Sequence, residues 1–174
     1  MPLFTLTAAA LSWMPRPAQA LEEEAFALET TATGNALSAE GSLRGGFGLG
    51  VGVLRGVTDL FALRAAADVA LHQNVPLRDG DVETLSAIGV STVTFGVRAA
   101  FDVLRVVPFV DLGAAAIYVS GNARTPGWRL GLDAGLGADW VIDRRWSLGL
   151  VASLRAFSGG PALRGGLRLE RRLL

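Results

Sequence analysis

The stretch Trp128–Trp140, WRLGLDAGLGADW, alternates residue by residue between two kinds of side chain. Its even-numbered positions carry only Trp, Leu and Ala, whereas its odd-numbered positions carry only Arg, Gly and Asp. Successive side chains of a β-strand point to opposite faces, so this period of two predicts a strand with one apolar and one small, charged face. Tryptophan at both ends of the apolar row is typical of a strand that crosses a membrane.

The same alternation recurs along the chain and predicts eight strands. Their predicted bounds are 25–33, 42–54, 60–72, 88–102, 106–119, 128–140, 146–157 and 163–173. The connections alternate between tight ones (56–59, 103–105 and 141–145) and longer ones (34–41, 73–87, 120–127 and 158–162). Short turns at one end and longer loops at the other are typical of an outer-membrane barrel, and an even strand number leaves no open edge in the bilayer. The predicted fold class is therefore all-β: an eight-stranded antiparallel up-and-down transmembrane β-barrel, with both termini on the periplasmic side.

Charge is confined to one face of these strands. The inward rows carry seven arginines and seven acids, and the outward rows between Phe26 and Leu169 carry none. An arginine at the lipid midplane costs roughly 2–4 kcal/mol, which places the charged face inside the barrel. A soluble lipocalin-like barrel would invert this pattern. The predicted lumen network is Glu29, Arg44, Arg64, Asp68, Arg98, Asp102, Asp111, Arg129, Asp133, Asp139, Arg155, Arg164, Arg168 and Glu170.

The interior of an eight-stranded barrel is just wide enough for side chains to fill it, so these charges are expected to pair rather than to line an aqueous pore. Inward glycines, among them Gly46, Gly48, Gly50 and Gly52, are expected to leave room for long Arg side chains from facing strands. The outward rows also supply the aromatic residues that typically mark the membrane interfaces. These predicted interface aromatics are Phe47, Phe61, Phe95, Phe101, Tyr118, Trp128, Trp140 and Trp146.

Composition is consistent with one exported membrane domain. The chain has 174 residues, 51% of them hydrophobic, a mean hydropathy of +0.40 and no apolar run long enough for a membrane helix. A formal net charge of zero gives no indication of a nucleic-acid partner, and the lack of Cys excludes disulfides and thiolate chemistry. Residues 1–20, which end in Ala18-Gln19-Ala20, are predicted to be a secretory signal peptide. Residues 21–174 then form the barrel, and the predicted location is the cell outer membrane.

Across Leu21 to Leu174 the chain resembles the OmpA/OmpX-type eight-stranded outer-membrane barrels. The resemblance rests on the strand number, the charged lumen and aromatic strand ends such as Trp128, Trp140 and Trp146. It implies a role in envelope integrity or surface interaction, with small conductance or lipid modification in some members. The expected partners are outer-membrane lipid, lipopolysaccharide and the barrel-assembly machinery, and a closed eight-stranded barrel can stand as a monomer. Family members usually end in an aromatic residue, whereas this chain ends in Leu174.

Chemistry offers weaker alternatives. His72, the only histidine, ends a strand beside the loop that holds Asp79, Asp81, Glu83 and Ser86. A histidine, a serine and an acid at the outer surface could perform acyl transfer, and the three acids could bind a divalent cation. The Gly-rich stretch 45–56 matches no phosphate-binding motif.

The function predicted is a structural or surface-interaction barrel with a charge-paired, plugged lumen. No catalytic residue, metal or cofactor is predicted. A narrow channel or carrier for small solutes is the first alternative. A lipid A-modifying enzyme that uses His72 is the second.

Overall fold

The computed structural model describes residues 25–39, 42–73, 88–101, 105–121 and 126–173. The strands are β1 Phe26–Ala39, β2 Ser42–Gly56, β3 Phe61–His72, β4 Ile88–Ala100, β5 Val106–Gly121, β6 Gly127–Val141, β7 Trp146–Phe157 and β8 Gly160–Leu173. Each strand pairs antiparallel with its sequence neighbour, and β1 also pairs with β8, so the sheet closes. The prediction of a closed eight-stranded antiparallel barrel is confirmed. Within these ranges no helix has the length and apolar character needed to span a bilayer.

Two of the longer predicted connections are wrong. Residues 34–39 continue β1 and pair with β2, from Gly34 opposite Phe47 to Ala39 opposite Ser42. The turn-forming residues Gly34 and Asn35 suggested a loop, but pairing with strands on both sides overrides that local preference. At the same end of the barrel β8, which pairs with β1, begins at Gly160, whose φ of 111° suits glycine, so the predicted loop 158–162 shortens to a turn at 158–159.

The alternation of faces persists around the whole barrel. Outward side chains such as Leu130, Leu132 and Trp128 are 83%, 68% and 70% exposed, whereas inward Ile117 is fully buried. One expectation about this outward face is wrong. Because β2 continues two residues beyond the predicted end, to Gly56, it carries Arg55 on its outward row, where the side chain is exposed. β4, in contrast, ends at Ala100, and Asp102 lies outside the described residues.

The barrel has two unlike ends. At the end we call the turn side, β1 begins, β8 ends and the connections are tight. There the Thr58 hydroxyl accepts hydrogen bonds from the backbone N–H groups of Leu60 and Phe61, and an Asp143 carboxylate oxygen accepts them from Arg145 and Trp146. Side chains that bond the turn backbone in this way explain why these connections can be short. The other end is the loop side, where residues 74–87 connect β3 to β4. These residues, which include Asp79, Asp81, Glu83 and Ser86, lie outside the described part of the chain.

The outward face generates a test. Leu112 is 63% exposed in the middle of β5, opposite Ala134 of β6, whereas Leu173 is 43% exposed at the last residue of β8. In barrels refolded into lipid vesicles, Leu112→Arg should lower the free energy of unfolding by about 2–4 kcal/mol, and the matched Leu173→Arg by about 0–1 kcal/mol. Urea titration followed by tryptophan fluorescence measures both. Equal costs at the two depths would contradict a membrane-spanning orientation of the strands.

Candidate functional site: the lumen

Glu29 of β1 is the centre of an ion-pair cluster in the turn-side half of the lumen. Its carboxylate is 1% exposed and lies 2.5 Å from Arg64 Nη2, 3.2 Å from Arg98 Nη2 and 3.5 Å from Arg168 Nε. These arginines belong to β3, β4 and β8. A single carboxylate therefore links one strand to three others, two of which are not its neighbours in the sheet. We call Glu29, Arg64, Arg98, Asp111, Asp139, Arg168 and Glu170 the turn-side cluster.

The remaining members of this cluster give its arginines further partners. Arg98 forms a bidentate pair with Asp111 of the adjacent strand, with Nε–Oδ1 and Nη2–Oδ2 distances of 2.6 and 2.7 Å. Arg168 contacts Asp139 Oδ2 at 2.9 Å and also pairs with Glu170 on its own strand. Bidentate arginine–carboxylate pairs of this kind fix geometry as well as charge.

An aromatic ring completes the turn-side cluster. Phe109 is 2% exposed, and the guanidinium carbons of Arg98 and Arg168 lie 4.2 and 4.6 Å from its ring centroid. Its ring also packs where a side chain at Gly137 would stand. Cation–π contacts of this length supplement the ion pairs where water is excluded. The sequence analysis missed Phe109, although it is two residues before Asp111 on the same inward row.

A second, loop-side cluster is built around Asp68. Its Oδ2 atom lies 3.0 Å from Arg155 Nη2 and 2.9 Å from Arg164 Nη1. Arg155 also donates to the Thr92 hydroxyl at 2.7 Å, and its Nε atom lies 3.5 Å from Asp133 Oδ1. These contacts join β3, β4, β6, β7 and β8 across the interior.

Apolar side chains fill the lumen beyond the loop-side cluster. The buried residues of this apolar layer, against which Phe157 packs, are Leu37, Ile88, Val90, Ala115, Ile117, Val119 and Ala162. At the other end a cavity of about 30 Å³ lies among residues that include Arg98, Phe109, Asp139 and Arg168. That volume holds about one or two water molecules. The described interior thus holds two charged clusters, this apolar layer and a smaller apolar group of Ala27, Leu54 and Ala62.

The structure places every described member of the predicted lumen network on the inward rows. Arg44 and Arg129 lie nearer the loop side than the two clusters, and Arg129 packs beside Gly159. Asp102 lies outside the described residues. The sequence analysis also missed Arg172, which continues the inward row of β8 and lies 3.6 Å from Glu170 Oε1.

The expectation for the inward glycines of β2 is wrong in its detail. A Cβ atom at Gly52 would lie 2.6 Å from Glu29 Oε1, one at Gly48 would lie 2.6 Å from the Asn35 amide nitrogen, and one at Gly46 would lie 2.7 Å from the His72 ring. The glycines make room for side chains of the adjacent strands β1 and β3, not for arginines from across the lumen. Strands in a sheet are only about 4.7–4.9 Å apart, so these neighbours reach the space first.

His72 lies inside the barrel. It is 3% exposed on the inward row of β3, opposite the backbone of Ile88, and neither ring nitrogen makes a hydrogen bond to a described side chain. Among all residues that the structure describes, no group of three or more His, Asp or Glu side chains could hold a metal ion.

Most of the predicted interface aromatics lie on the outward rows near the ends of the barrel. On the loop side, Tyr118 and Trp128 have ring centroids 5.2 Å apart. Phe95 departs from the expectation, because it lies in the middle part of β4, opposite Ala65 and Ala114. The others are Phe61, Phe101, Trp140 and Trp146 on the turn side, and Phe47 toward the loop side.

Comparison with known proteins gives structural matches only. No family model and no curated protein matches the sequence. Neisserial surface protein A aligns with a TM-score of 0.66 at 12% identity over 85% of this chain and 97% of that one. Ail, the attachment invasion locus protein of Yersinia pestis, aligns with a TM-score of 0.61 at 11% identity over 87% of this chain and 99% of that one. The outer membrane protein OprG of Pseudomonas aeruginosa aligns with a TM-score of 0.59 at 11% identity over 89% of this chain and 98% of that one. The chain thus has the fold of the small eight-stranded outer-membrane barrels.

The central carboxylate can be tested directly. Glu29→Gln keeps the size of the side chain but leaves Arg64, Arg98 and Arg168 short of one negative charge. We expect the free energy of unfolding in vesicles to fall by about 3–5 kcal/mol, because a buried charge loses its partner. Thr31→Val, one inward position away and outside the ion pairs, should cost no more than about 1 kcal/mol. A loss at Glu29 as small as that at Thr31 would show that the ion pairs do not couple the strands.

A pair of glycines tests the packing around Glu29. Gly52→Ala puts a methyl group against the Glu29 carboxylate and should cost about 1–3 kcal/mol of unfolding free energy, as overpacking does. Gly45→Ala on the same strand meets nothing within 4 Å and should be neutral or slightly stabilising. The folded barrel migrates faster on a gel than the unfolded chain, and the temperature at which this difference is lost ranks the two variants. An equal temperature for Gly52→Ala and Gly45→Ala would refute the packing argument.

Proposed function

We propose that this protein is a small barrel of the cell outer membrane that serves a structural or surface-interaction role in the envelope. The observation that carries the proposal is the continuous outward band of exposed Leu, Val, Phe and Trp side chains around a closed sheet. Soluble monomers rarely expose an apolar patch of more than a few hundred Å². Lipid satisfies such a face, and a closed sheet leaves no unpaired backbone edge within it.

We infer further that the lumen is plugged. The turn-side and loop-side clusters cross the interior at two levels, and the apolar layer from Leu37 to Ala162 adds a third. An ion that entered the lumen would have to displace paired charges and then cross an apolar constriction. Both steps are costly in a space of low dielectric, which supports a structural barrel over a channel.

The enzyme alternative lacks support of this kind. His72 is buried on the lumen side rather than at the lipid face, and no described hydroxyl or carboxylate forms a hydrogen bond with its ring. The proposal is therefore non-catalytic. A surface partner would chiefly meet the connection between β3 and β4, the longest in the barrel. Two of the similar structures are of proteins named for the cell surface or for attachment, which fits such a role.

The remaining parts of the proposal concern export and surroundings. Residues 1–20 direct export, the barrel-assembly machinery inserts the chain, and the barrel stands as a monomer in contact with outer-membrane lipid and lipopolysaccharide. Cell fractionation with carbonate extraction tests the location. Recovery of the mature chain in the soluble periplasm would overturn the membrane proposal.

Planar-bilayer recording tests the plugged lumen. The wild-type barrel should carry no steady current, because paired charges and the apolar layer fill its interior. Asp133→Ala, Arg155→Ala and Arg129→Ala should each unfold at lower urea while the apolar layer keeps the lumen closed, whereas the matched Thr31→Val should behave as the parent does. Steady current in the wild-type barrel would replace the structural proposal with a channel whose walls are the arginine and acid rows.

A further inference from the structure

Every exposed charged residue of the described chain lies at the turn side. The exposed acids there are Asp59 and Asp143, and the exposed bases, which we call the arginine collar, are Arg55, Arg105, Arg144, Arg145 and Arg171. Toward the loop side, the charged residues of the same described ranges are at least partly buried on inward rows. The described residues therefore present a net positive charge to their surroundings at the turn side.

The arginine collar extends around the barrel circumference. Arg55 ends β2, Arg105 precedes β5, Arg144 and Arg145 belong to the turn between β6 and β7, and Arg171 is near the end of β8. Because the strands follow their sequence order around the barrel, these positions are spaced at about every second strand. Such a ring is suited to contact the membrane that surrounds the barrel. A single docked protein would contact only one side of it.

The collar arginines differ from the lumen arginines in their partners. No side chain of the collar forms an ion pair with a described residue, whereas Arg98, Arg155 and Arg168 each contact at least two carboxylates. The two exposed acids, Asp59 and Asp143, are too few to neutralise five arginines, and Asp143 Oδ1 is already held by two backbone N–H groups of its own turn. The excess positive charge of the collar is therefore available to an anion from outside the described chain.

Two collar residues are held against the lipid-facing surface. The Arg55 guanidinium lies 5.8 Å from the Phe26 ring centroid, and that of Arg171 lies 5.4 Å from the Trp146 ring centroid. Both rings stand on outward rows at the edge of the apolar band. Stacking on these rings places the charges at the depth where lipid headgroups meet the hydrocarbon.

We propose that the arginine collar binds the phosphate groups of anionic glycerophospholipids in the turn-side leaflet. This inference rests on the proposed membrane function. The planar guanidinium fork matches phosphate oxygens bidentately, and several such groups around one rim would collect anionic lipid from a mixed leaflet. The acidic run Glu22–Glu24, which precedes β1 and lies outside the described residues, is the competing anion within the chain.

Tryptophan quenching by brominated lipids tests the proposal at each end of one barrel. Two single-tryptophan proteins are made by Trp→Phe changes, one that keeps Trp146 beside Arg171 and one that keeps Trp128 on the loop side. Each is refolded into phosphatidylethanolamine vesicles with a minor fraction of phosphatidylglycerol, and the bromine is carried by either lipid in turn. We expect Trp146 to select phosphatidylglycerol about fivefold, the ratio that one arginine supplies at an anionic surface, and Trp128 to show no selection.

Variants assign the selection to the collar. Arg171→Gln should bring the selectivity at Trp146 close to one, and Arg171→Lys should retain part of it, because the charge stays while the fork is lost. Equal quenching of both tryptophans by both lipids, or a selectivity that Arg171→Gln leaves unchanged, would overturn the proposal. The first result would also follow if Glu22–Glu24 neutralised the collar. No quenching by either brominated lipid would instead show that the barrel is not in the membrane, which refutes the proposed function itself.

Discussion

Pairing between β1 and β8 is the contact on which the rest of this structure depends. Twelve residue pairs, from Phe26 opposite Leu173 to Leu37 opposite Ala162, join the first strand to the last. Without them two strands would present unpaired backbone groups, and an apolar outward face could not lie in lipid, where water cannot satisfy those groups. Closure also fixes the interior volume. Side chains that would reach solvent in an open sheet must instead fill a narrow space together, so the charged inward rows must find partners among themselves.

The ion pairs that result do more to specify the register than to add stability. A buried ion pair contributes little relative to apolar side chains of the same volume, because both charges lose their hydration. A register slip of one residue, however, would turn Arg168 and Glu170 toward lipid and Leu169 toward the lumen, since the side-chain period of a strand is two. Glu29 makes such a slip costly at several places at once, because it contacts arginines from β3, β4 and β8. We therefore attribute the charged lumen to the need for one unique strand arrangement.

Much of this fold could be predicted from the sequence, because strand parity is a local property. Trp128–Trp140 already assigns its apolar row to the outside, and the same rule places Arg98, Asp133 and Arg168 inside. The odd or even position of a residue in its strand does not, however, predict which inward side chains form ion pairs with each other. Arg98 meets its neighbour Asp111 across one strand pair, but its contact with Glu29, 69 residues away, depends on closure and on the stagger of the strands. The extension of β1 through Gly34 and Asn35 was hidden for a related reason, since those residues form turns unless strands on both sides hold them.

In the proposed plugged lumen, different physical means close the two ends. Toward the turn side, charged groups and the Phe109 ring occupy the interior except for a cavity of about 30 Å³, and they would attract ions if their pairs were broken. Toward the loop side, Ile88, Ile117 and Val119 exclude ions because an apolar constriction offers nothing to replace a hydration shell. A substitution that breaks the ion pairs therefore leaves the apolar layer in place. A substitution that widens the opening within the apolar layer leaves the charges paired. Because the two barriers lie in series and fail for unrelated reasons, the loss of either one alone weakens the barrel before it opens a continuous path.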